Sequence, residues 1–194
     1  MSSRKVLILA LLTQLGLIAL SWWCATVLDL PPRWGVPWRD VTLGIAIASA
    51  LAVANHYLLT RAPSNWVVDG VRGVYRETIV PLFGGLRPAG AVVIGAAAGV
   101  GEEWLFRGIL QPLTGIGIAT VLFGAAHVGN MRMLPFGVWA TGMGLVMGTL
   151  AIITGGLTAP MVAHGVYDML ALEYIRRSPD RAPVRPTGEG ADLE

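Results

Sequence analysis

The stretch VLILALLTQLGLIALSWWCATVL, residues 6–28, contains no charged side chain and no proline. It follows Arg4 and Lys5 and exceeds the roughly 20 apolar residues that a helix needs to cross a hydrocarbon core. A basic start before an apolar run is also typical of a secretory signal. This run is long for a signal, however, and Trp22 and Trp23 stand where a signal peptidase requires small residues. The stretch therefore predicts a retained first transmembrane helix.

The composition extends this prediction to the whole chain. Of its 194 residues, 54% are hydrophobic and only 13% are charged, whereas soluble domains carry roughly 25% charged residues. The formal charge is +2, and no basic face interleaved with aromatic residues is present, which excludes a nucleic-acid binder. Cys24 is the only cysteine, so an intrachain disulfide and a thiolate metal cluster are excluded. The class predicted is a polytopic membrane protein.

Further stretches with few charges predict the other membrane helices, so we expect an all-α bundle of about six transmembrane helices. The six predicted spans are residues 6–28, 41–60, 89–111, 114–130, 134–154 and 156–174. Residues 61–88 differ because charged side chains interrupt a series of Trp, Val, Ile and Leu residues. That pattern predicts an amphipathic interfacial segment, which lies on the membrane surface.

We divide the chain into three parts on this basis. Residues 1–88 contain two helices and the amphipathic connection, 89–175 contain a core of four helices, and 176–194 form a polar tail that we expect to be disordered. Eleven of the 14 basic residues fall on the side of both termini, two fall on the opposite side, and Arg107 lies within a span. The positive-inside rule therefore predicts that both termini are cytoplasmic.

Ionisable side chains inside the predicted spans are candidates for function, because each costs about 3 to more than 10 kcal/mol at mid-membrane. The third span contains Glu102, Glu103 and Arg107. Glu103 and Arg107 are four residues apart and can pair on one helix face. Glu102 has no basic residue four positions later, and such a carboxylate can take and return protons. The alternative is that both acids only neutralise Arg107.

The fourth and sixth spans contain the matching histidines. His127 follows Phe123 by four residues, and His164 precedes Asp168 by four, so that Asp168 can orient the His164 imidazole. Counted from the predicted outer helix ends, Glu102 and His164 lie roughly 12–13 Å deep and His127 roughly 18–20 Å deep. These depths predict one shared cavity in the outer half of the bilayer.

The order and spacing of these residues resemble the CPBP family. This family comprises the CAAX-protease and bacteriocin-processing (Abi) intramembrane proteases of the glutamic type, which are related to the type II CAAX prenyl endopeptidases. The resemblance covers residues 89–175. It rests on three ordered motifs: Glu102-Glu103-x-x-x-Arg107, Phe123-x-x-x-His127 and His164-x-x-x-Asp168.

The resemblance implies an intramembrane endopeptidase in which a glutamate activates water. Glu102 would be the general base, and His127 would help to position the water. His164 and the residue at position 168 would stabilise the oxyanion. The CAAX endopeptidases have Asn where this chain has Asp168, so we expect Asp168 to fix the tautomer of His164 instead. The supporting residues would be Glu103, Arg107 and Phe123.

The resemblance implies no cofactor, although a metal is conceivable. Glu102, His127 and His164 could hold Zn²⁺ with an open fourth position, but the chain lacks a His-Glu-x-x-His helix. The implied partners are the lipid bilayer and a membrane-anchored protein or lipidated peptide, cleaved near its C-terminal region.

The side from which the substrate enters stays open at this point. CAAX endopeptidases are reached from the cytoplasm, whereas the charge count places Glu102 toward the outer face. The latter would suit a sortase-like enzyme for C-terminal sorting tails in a bacterial inner membrane. Two other functions stay open, namely a non-catalytic CPBP-fold scaffold or immunity protein and a small proton-coupled transporter.

Overall fold

The computed structural model describes residues 2–178, and within this range the chain is helical with short connections and no strand. The α-helices are α1 (Ser3–Val27), α2 (Pro37–Thr60), α3 (Trp66–Val74), α4 (Val80–Phe83), α5 (Pro88–Glu103), α6 (Gln111–Ala126), α7 (Leu134–Thr154) and α8 (Thr158–Arg177). Two π-helical stretches, Tyr75–Ile79 and Trp104–Leu110, join α3 to α4 and α5 to α6. The predicted all-α class is confirmed.

Local chemistry sets several helix boundaries. Pro37 and Pro88 begin α2 and α5, where the missing N–H of proline costs no helical hydrogen bond. The side chain of Asn65 accepts hydrogen bonds from two backbone N–H groups in the first turn of α3, both at 3.0 Å. Gly155 ends α7 with a left-handed φ of 69°, as glycine commonly does after a helix.

The long apolar segment Pro88–Ala126 is a helical hairpin rather than one rod. Gly115 breaks the helix with φ 82° and ψ 163°, a backbone conformation that is open to glycine and strained for other residues. The rings of Phe106 and Phe123 lie 5.0 Å apart, whereas they would be about 25 Å apart along a straight helix. The segment therefore supplies two antiparallel helices, as the sequence predicted.

Four segments of residues 2–178 are long and apolar enough to cross a membrane: Ser3–Val27, Pro37–Thr60, Pro88–Ala126 and Met131–Thr154. The hairpin counts as two of the predicted six. The predicted sixth span corresponds to α8, which is less apolar and packs against both α2 and α5. This is the architecture of an integral membrane helix bundle. The predicted amphipathic segment contains α3, which buries three valines.

Glycines allow the core helices to approach closely. A Cβ atom on Gly95 would lie 2.7 Å from the carbonyl oxygen of Gly165, and one on Gly99 would lie 2.5 Å from that of Met161. The backbones of α5 and α8 are therefore in direct contact, as is usual for small residues in membrane bundles. This contact holds the two helices that carry most of the predicted site residues.

Both ends of the described chain lie at the same end of the bundle. Ser3 lies against Gly85, and the Arg176 side chain donates to the Leu86 carbonyl oxygen at 2.8 Å. Helix α8 extends to Arg177, so the boundary predicted at residue 176 falls within its last turn. The rest of the predicted disordered tail lies outside the described residues.

The α5–α8 contact predicts that alanine substitution lowers the thermal unfolding midpoint at a glycine inside the contact but not at a glycine outside it. Gly99→Ala should lower the thermal unfolding midpoint in detergent, because the new methyl group would overlap the α8 backbone, at a cost of about 1–3 kcal/mol. Gly142→Ala is the matched control, because nothing lies within 4 Å of a Cβ atom there, and alanine favours helix by about 1 kcal/mol. Equal midpoints for the two variants would contradict the described packing.

Candidate active site

The structure brings the four predicted catalytic side chains together. Oε2 of Glu102 lies 3.8 Å from Nε2 of His127 and 4.0 Å from Nε2 of His164. Oδ2 of Asp168 lies 3.6 Å from the same His164 nitrogen. Two carboxylates and two imidazoles from α5, the end of α6, and α8 thus surround one small volume. The ring of His56, the remaining histidine, contacts that of Tyr174.

Glu103 is the centre of a buried charged network beside this volume. Its Oε1 atom accepts from Nη1 of Arg107 at 3.0 Å and from Nδ1 of His164 at 2.6 Å. The Glu103 side chain is fully buried, so both donors offset the cost of removing the carboxylate from water. Since a carboxylate oxygen is the acceptor, Nδ1 of His164 carries a proton, and its Nε2 faces Glu102.

This arrangement corrects the role that we expected of Asp168. The His164 ring is oriented by the hydrogen bond that its Nδ1 donates to Glu103 of α5, whereas Asp168 lies beside Nε2, beyond hydrogen-bond distance. Spacing within one helix could indicate that His164 and Asp168 share a face. It contains no information on which side chain of another helix reaches the opposite ring nitrogen.

His127 is held in a defined orientation where α6 ends. Its Nδ1 atom lies 2.8 Å from the carbonyl oxygen of Phe123. A carbonyl oxygen can only accept, so Nδ1 is the donor. In the neutral ring the lone pair therefore lies on Nε2, which faces Glu102. His127 can accept a hydrogen bond from a molecule bound between these two residues.

The ring of Phe123 packs against Arg107 and against both histidines. Its ring centroid lies 4.7 Å from that of His127 and 5.8 Å from that of His164. The guanidinium carbon of Arg107 lies 4.4 Å from the same ring, which is a cation–π contact. Phe123 therefore fixes the separation of the histidines and covers one side of the arginine.

A residue that the sequence analysis missed, Gln14 of α1, completes the surroundings of Glu102. Its Nε2 atom donates to Oε1 of Glu102 at 2.8 Å, and the side chain is buried. Glutamine is polar without being ionisable, so the pattern of ionisable residues in the spans does not include it. An amide in an otherwise apolar membrane helix was the available signal, since an unpaired polar group in that environment is costly.

The position of Glu102 along its helix differs from the one given by the predicted span, which ended at Gln111. The helix that carries Glu102 begins at Pro88 and continues beyond Gln111 to the turn at Gly115. At 1.5 Å per residue, Glu102 is about 20 Å from either end. Gln14, its partner, is likewise far from both ends of α1. The site is therefore near the middle of these helices and not in their outer half.

Two cavities lie near these residues. A cavity of about 80 Å³ opens beside the histidines, and its apolar walls with a few polar groups are typical of a ligand pocket. Its lining residues are Phe123, His127, Phe136, Trp139, Ala140, Met143, Met147, His164, Tyr167 and Asp168. A larger cavity of about 550 Å³ reaches Arg107 and Gln111 from the connections between α1 and α2 and between α7 and α8. That cavity is not lined by any of the four predicted catalytic residues.

The metal alternative gains no support from the side-chain geometry. Among residues 2–178, no group of three or more His, Cys, Asp or Glu side chains is arranged to hold a metal ion. Nδ1 of His127 and Nδ1 of His164 each donate to a protein acceptor, so each ring presents only Nε2 to the shared volume, an arrangement that suits a bound water and a metal alike.

The buried charges at this site predict that removing one of them lowers the stability of the fold strongly. Arg107→Met should leave the Glu103 carboxylate buried with one donor fewer, and breaking such a pair costs about 3–5 kcal/mol. The measurement is the thermal unfolding midpoint in detergent, with the exposed Arg132→Met as the matched control. Adding Glu103→Gln to Arg107→Met should restore part of the loss. If Arg107→Met unfolds at the same temperature as the control, the network does not stabilise the fold.

Comparison with known proteins gives three findings. Residues 84–170 match the family model described as type II CAAX prenyl endopeptidase Rce1-like. The uncharacterized protein YpbD of Bacillus subtilis (strain 168) is 26% identical over 159 residues, which are 78% of this chain and 80% of that protein. No solved structure matches the chain significantly. The matched segment contains all three motifs, and the family resemblance predicted from them is confirmed.

Proposed function

We propose that this chain, whose residues 84–170 match a family of CAAX-type intramembrane proteases, is an intramembrane endopeptidase in which Glu102 activates a water molecule. One observation carries the proposal. Oε2 of Glu102 is buried without a hydrogen-bond partner among the described residues, and it faces two histidine Nε2 atoms at 3.8 and 4.0 Å. These separations allow one water molecule to bond to the carboxylate and to an imidazole together.

In the first step Glu102 acts as a general base. It removes a proton from the water while the water oxygen bonds to the carbonyl carbon of the substrate peptide. His127 accepts a second hydrogen bond from the water, since its Nδ1 is committed to Phe123, and this bond aims the oxygen. Glu102 then returns the proton to the leaving nitrogen as the carbon–nitrogen bond breaks. Water and amide are thereby converted to a carboxylic acid and an amine.

His164 stabilises the oxyanion in this mechanism. Glu102, Glu103 and Asp168 each place a carboxylate oxygen within 4.0 Å of its ring nitrogens, and in this proposal the ring carries a proton on both nitrogens when the oxyanion forms. The Nε2–H group can then donate to the oxygen that gains negative charge, in a site sheltered from bulk water. Glu103 keeps the ring in place during this change because it also pairs with Arg107.

We further propose that the substrate is a membrane-anchored protein cleaved near its C-terminal region. Support comes from the position of Glu102 near the middle of long apolar helices and from the apolar cavity beside the histidines. We place the chain in a bacterial inner membrane with both termini in the cytoplasm, and the excess of basic residues at that end supports this orientation. Reporter fusions after Arg61, Arg132 and Arg177 test the orientation, and an external Arg177 reporter would reject it. A sortase-like role requires that the cleaved segment lies on the external side.

The central test replaces the proposed base. Glu102→Gln keeps the side-chain volume but cannot take a proton, so cleavage should fall by about 10²–10⁴-fold, the range that a general base contributes. Membrane proteomes with active and inactive enzyme are first compared to find one shortened membrane-anchored protein, which then serves as the assay substrate.

The exposed Glu77→Gln is the matched control for this test, and it should retain full activity. If Glu102→Gln cleaves the substrate at the normal rate, Glu102 is not the base. A different result would favour the transporter alternative. In that case the wild type cleaves no protein, and Glu102→Gln abolishes proton-coupled uptake into vesicles. A natural partner protein that binds the wild type but is never cleaved by it would favour the scaffold alternative.

Position 168 gives a second and different prediction. Glu103 already fixes the Nδ1 proton of His164, so Asp168→Asn should keep cleavage within about tenfold of the wild type, because an amide can itself donate to an oxyanion. Asp168→Leu removes both a donor and a charge and should cost more. Cleavage rates of the two variants are compared at equal amounts of folded protein. An Asp168→Asn variant as inactive as Glu102→Gln would show that the carboxylate itself is required.

A further inference from the structure

We propose that Gln14, in the first helix, is a positioning residue that holds Glu102 in its reactive orientation. This inference rests on the proposed function, because it names a helper for the same base. Gln14 lies far outside the matched segment 84–170. The inference therefore assigns a part of the site to the N-terminal region, which carries none of the three motifs.

The hydrogen bond selects which carboxylate oxygen faces the histidines. Nε2 of Gln14 donates to Oε1 of Glu102 at 2.8 Å. The other oxygen, Oε2, is then the one directed at His127 and His164. Without a fixed donor a carboxylate can rotate about its terminal bond and exchange its two oxygens. A donor on one oxygen limits that rotation, and bonds from an N–H group to a carboxylate are among the stronger hydrogen bonds.

The amide can have only one orientation here. If its oxygen and nitrogen were exchanged, an amide oxygen would face a carboxylate oxygen, and neither could donate. In the observed orientation Oε1 of Gln14 is buried and has no hydrogen-bond partner among the described residues. A buried acceptor left in this way lowers stability. A leucine or methionine would avoid that cost but would leave Oε1 of Glu102 without its donor, so the glutamine at position 14 serves the carboxylate.

The backbone of α5 is adapted to this contact. Gly101 directly precedes Glu102, and a Cβ atom there would lie 2.6 Å from Oε1 of Gln14 and 3.1 Å from its backbone oxygen. A side chain at position 101 would therefore push the Gln14 amide out of its place and crowd the α1 backbone. Farther along, Ser3 lies against Gly85 in the same parallel arrangement of the two segments. The close approach of α1 thus coincides with the proposed base.

The test is Gln14→Met, which has a similar length but no donor. In the assay of the full-length protein, kcat should fall by about 10- to 100-fold while KM changes less than about twofold, because an interaction that orients the base acts on the chemical step. The thermal midpoint should change little, because the variant removes the unpaired acceptor of Gln14 but also leaves Oε1 of Glu102 without its donor.

Thr13→Val is the matched control, since Thr13 is exposed on the same helix and its hydroxyl donates to the Leu9 carbonyl oxygen; it should leave both kcat and KM unchanged. Gly101→Ala is a second variant that keeps both polar side chains but should separate them, with a similar loss of kcat. A normal kcat in Gln14→Met would overturn the inference while leaving the proposed function intact, provided that Glu102→Gln is inactive. If Glu102→Gln is fully active, both proposals fail.

Discussion

The whole site depends on one buried carboxylate that has to be paired. Glu103 is fully buried and contacts both Arg107 and His164. Arg107 in turn donates to the Gly144 carbonyl oxygen of α7 at 2.9 Å. A charge in this surrounding is tolerated only when its partners are fixed, because desolvation costs several kcal/mol per ion. The requirement therefore links α5, α7 and α8, and the same links set the orientation of the His164 ring.

Close helix packing and irregular backbone position the side chains of this network. The α5–α8 contact at Gly95 and Gly99 brings His164 within reach of Glu103, and the turn at Gly115 returns the chain so that Phe123 and His127 lie beside it. The π-helical stretch after Glu103 lies at the same place, and irregular turns of this kind are frequent at functional sites. Small residues and irregular backbone thus place the polar groups, and bulky apolar residues surround them.

The sequence predicted most of the fold because membrane helices must be long and apolar. The charge-free runs at residues 6–28, 41–60 and 134–154 correspond to α1, α2 and α7. The motifs also predicted that Glu102, His127 and His164 would lie together. The contact of Glu103 with His164 and that of Gln14 with Glu102 could not be predicted in this way. Both join residues of different helices, and helical spacing describes only one helix at a time.

The brevity of α6 has a consequence for the surrounding lipid. After Gly115 this helix continues only to Ala126, about 16 Å at 1.5 Å per residue, roughly half the thickness of a hydrocarbon core of about 30 Å. The connection that follows exposes Met131, a side chain compatible with acyl chains. Such a hydrophobic mismatch makes the adjacent leaflet thin or the protein tilt. Acyl-chain length therefore becomes a variable that acts on the helix that ends at His127.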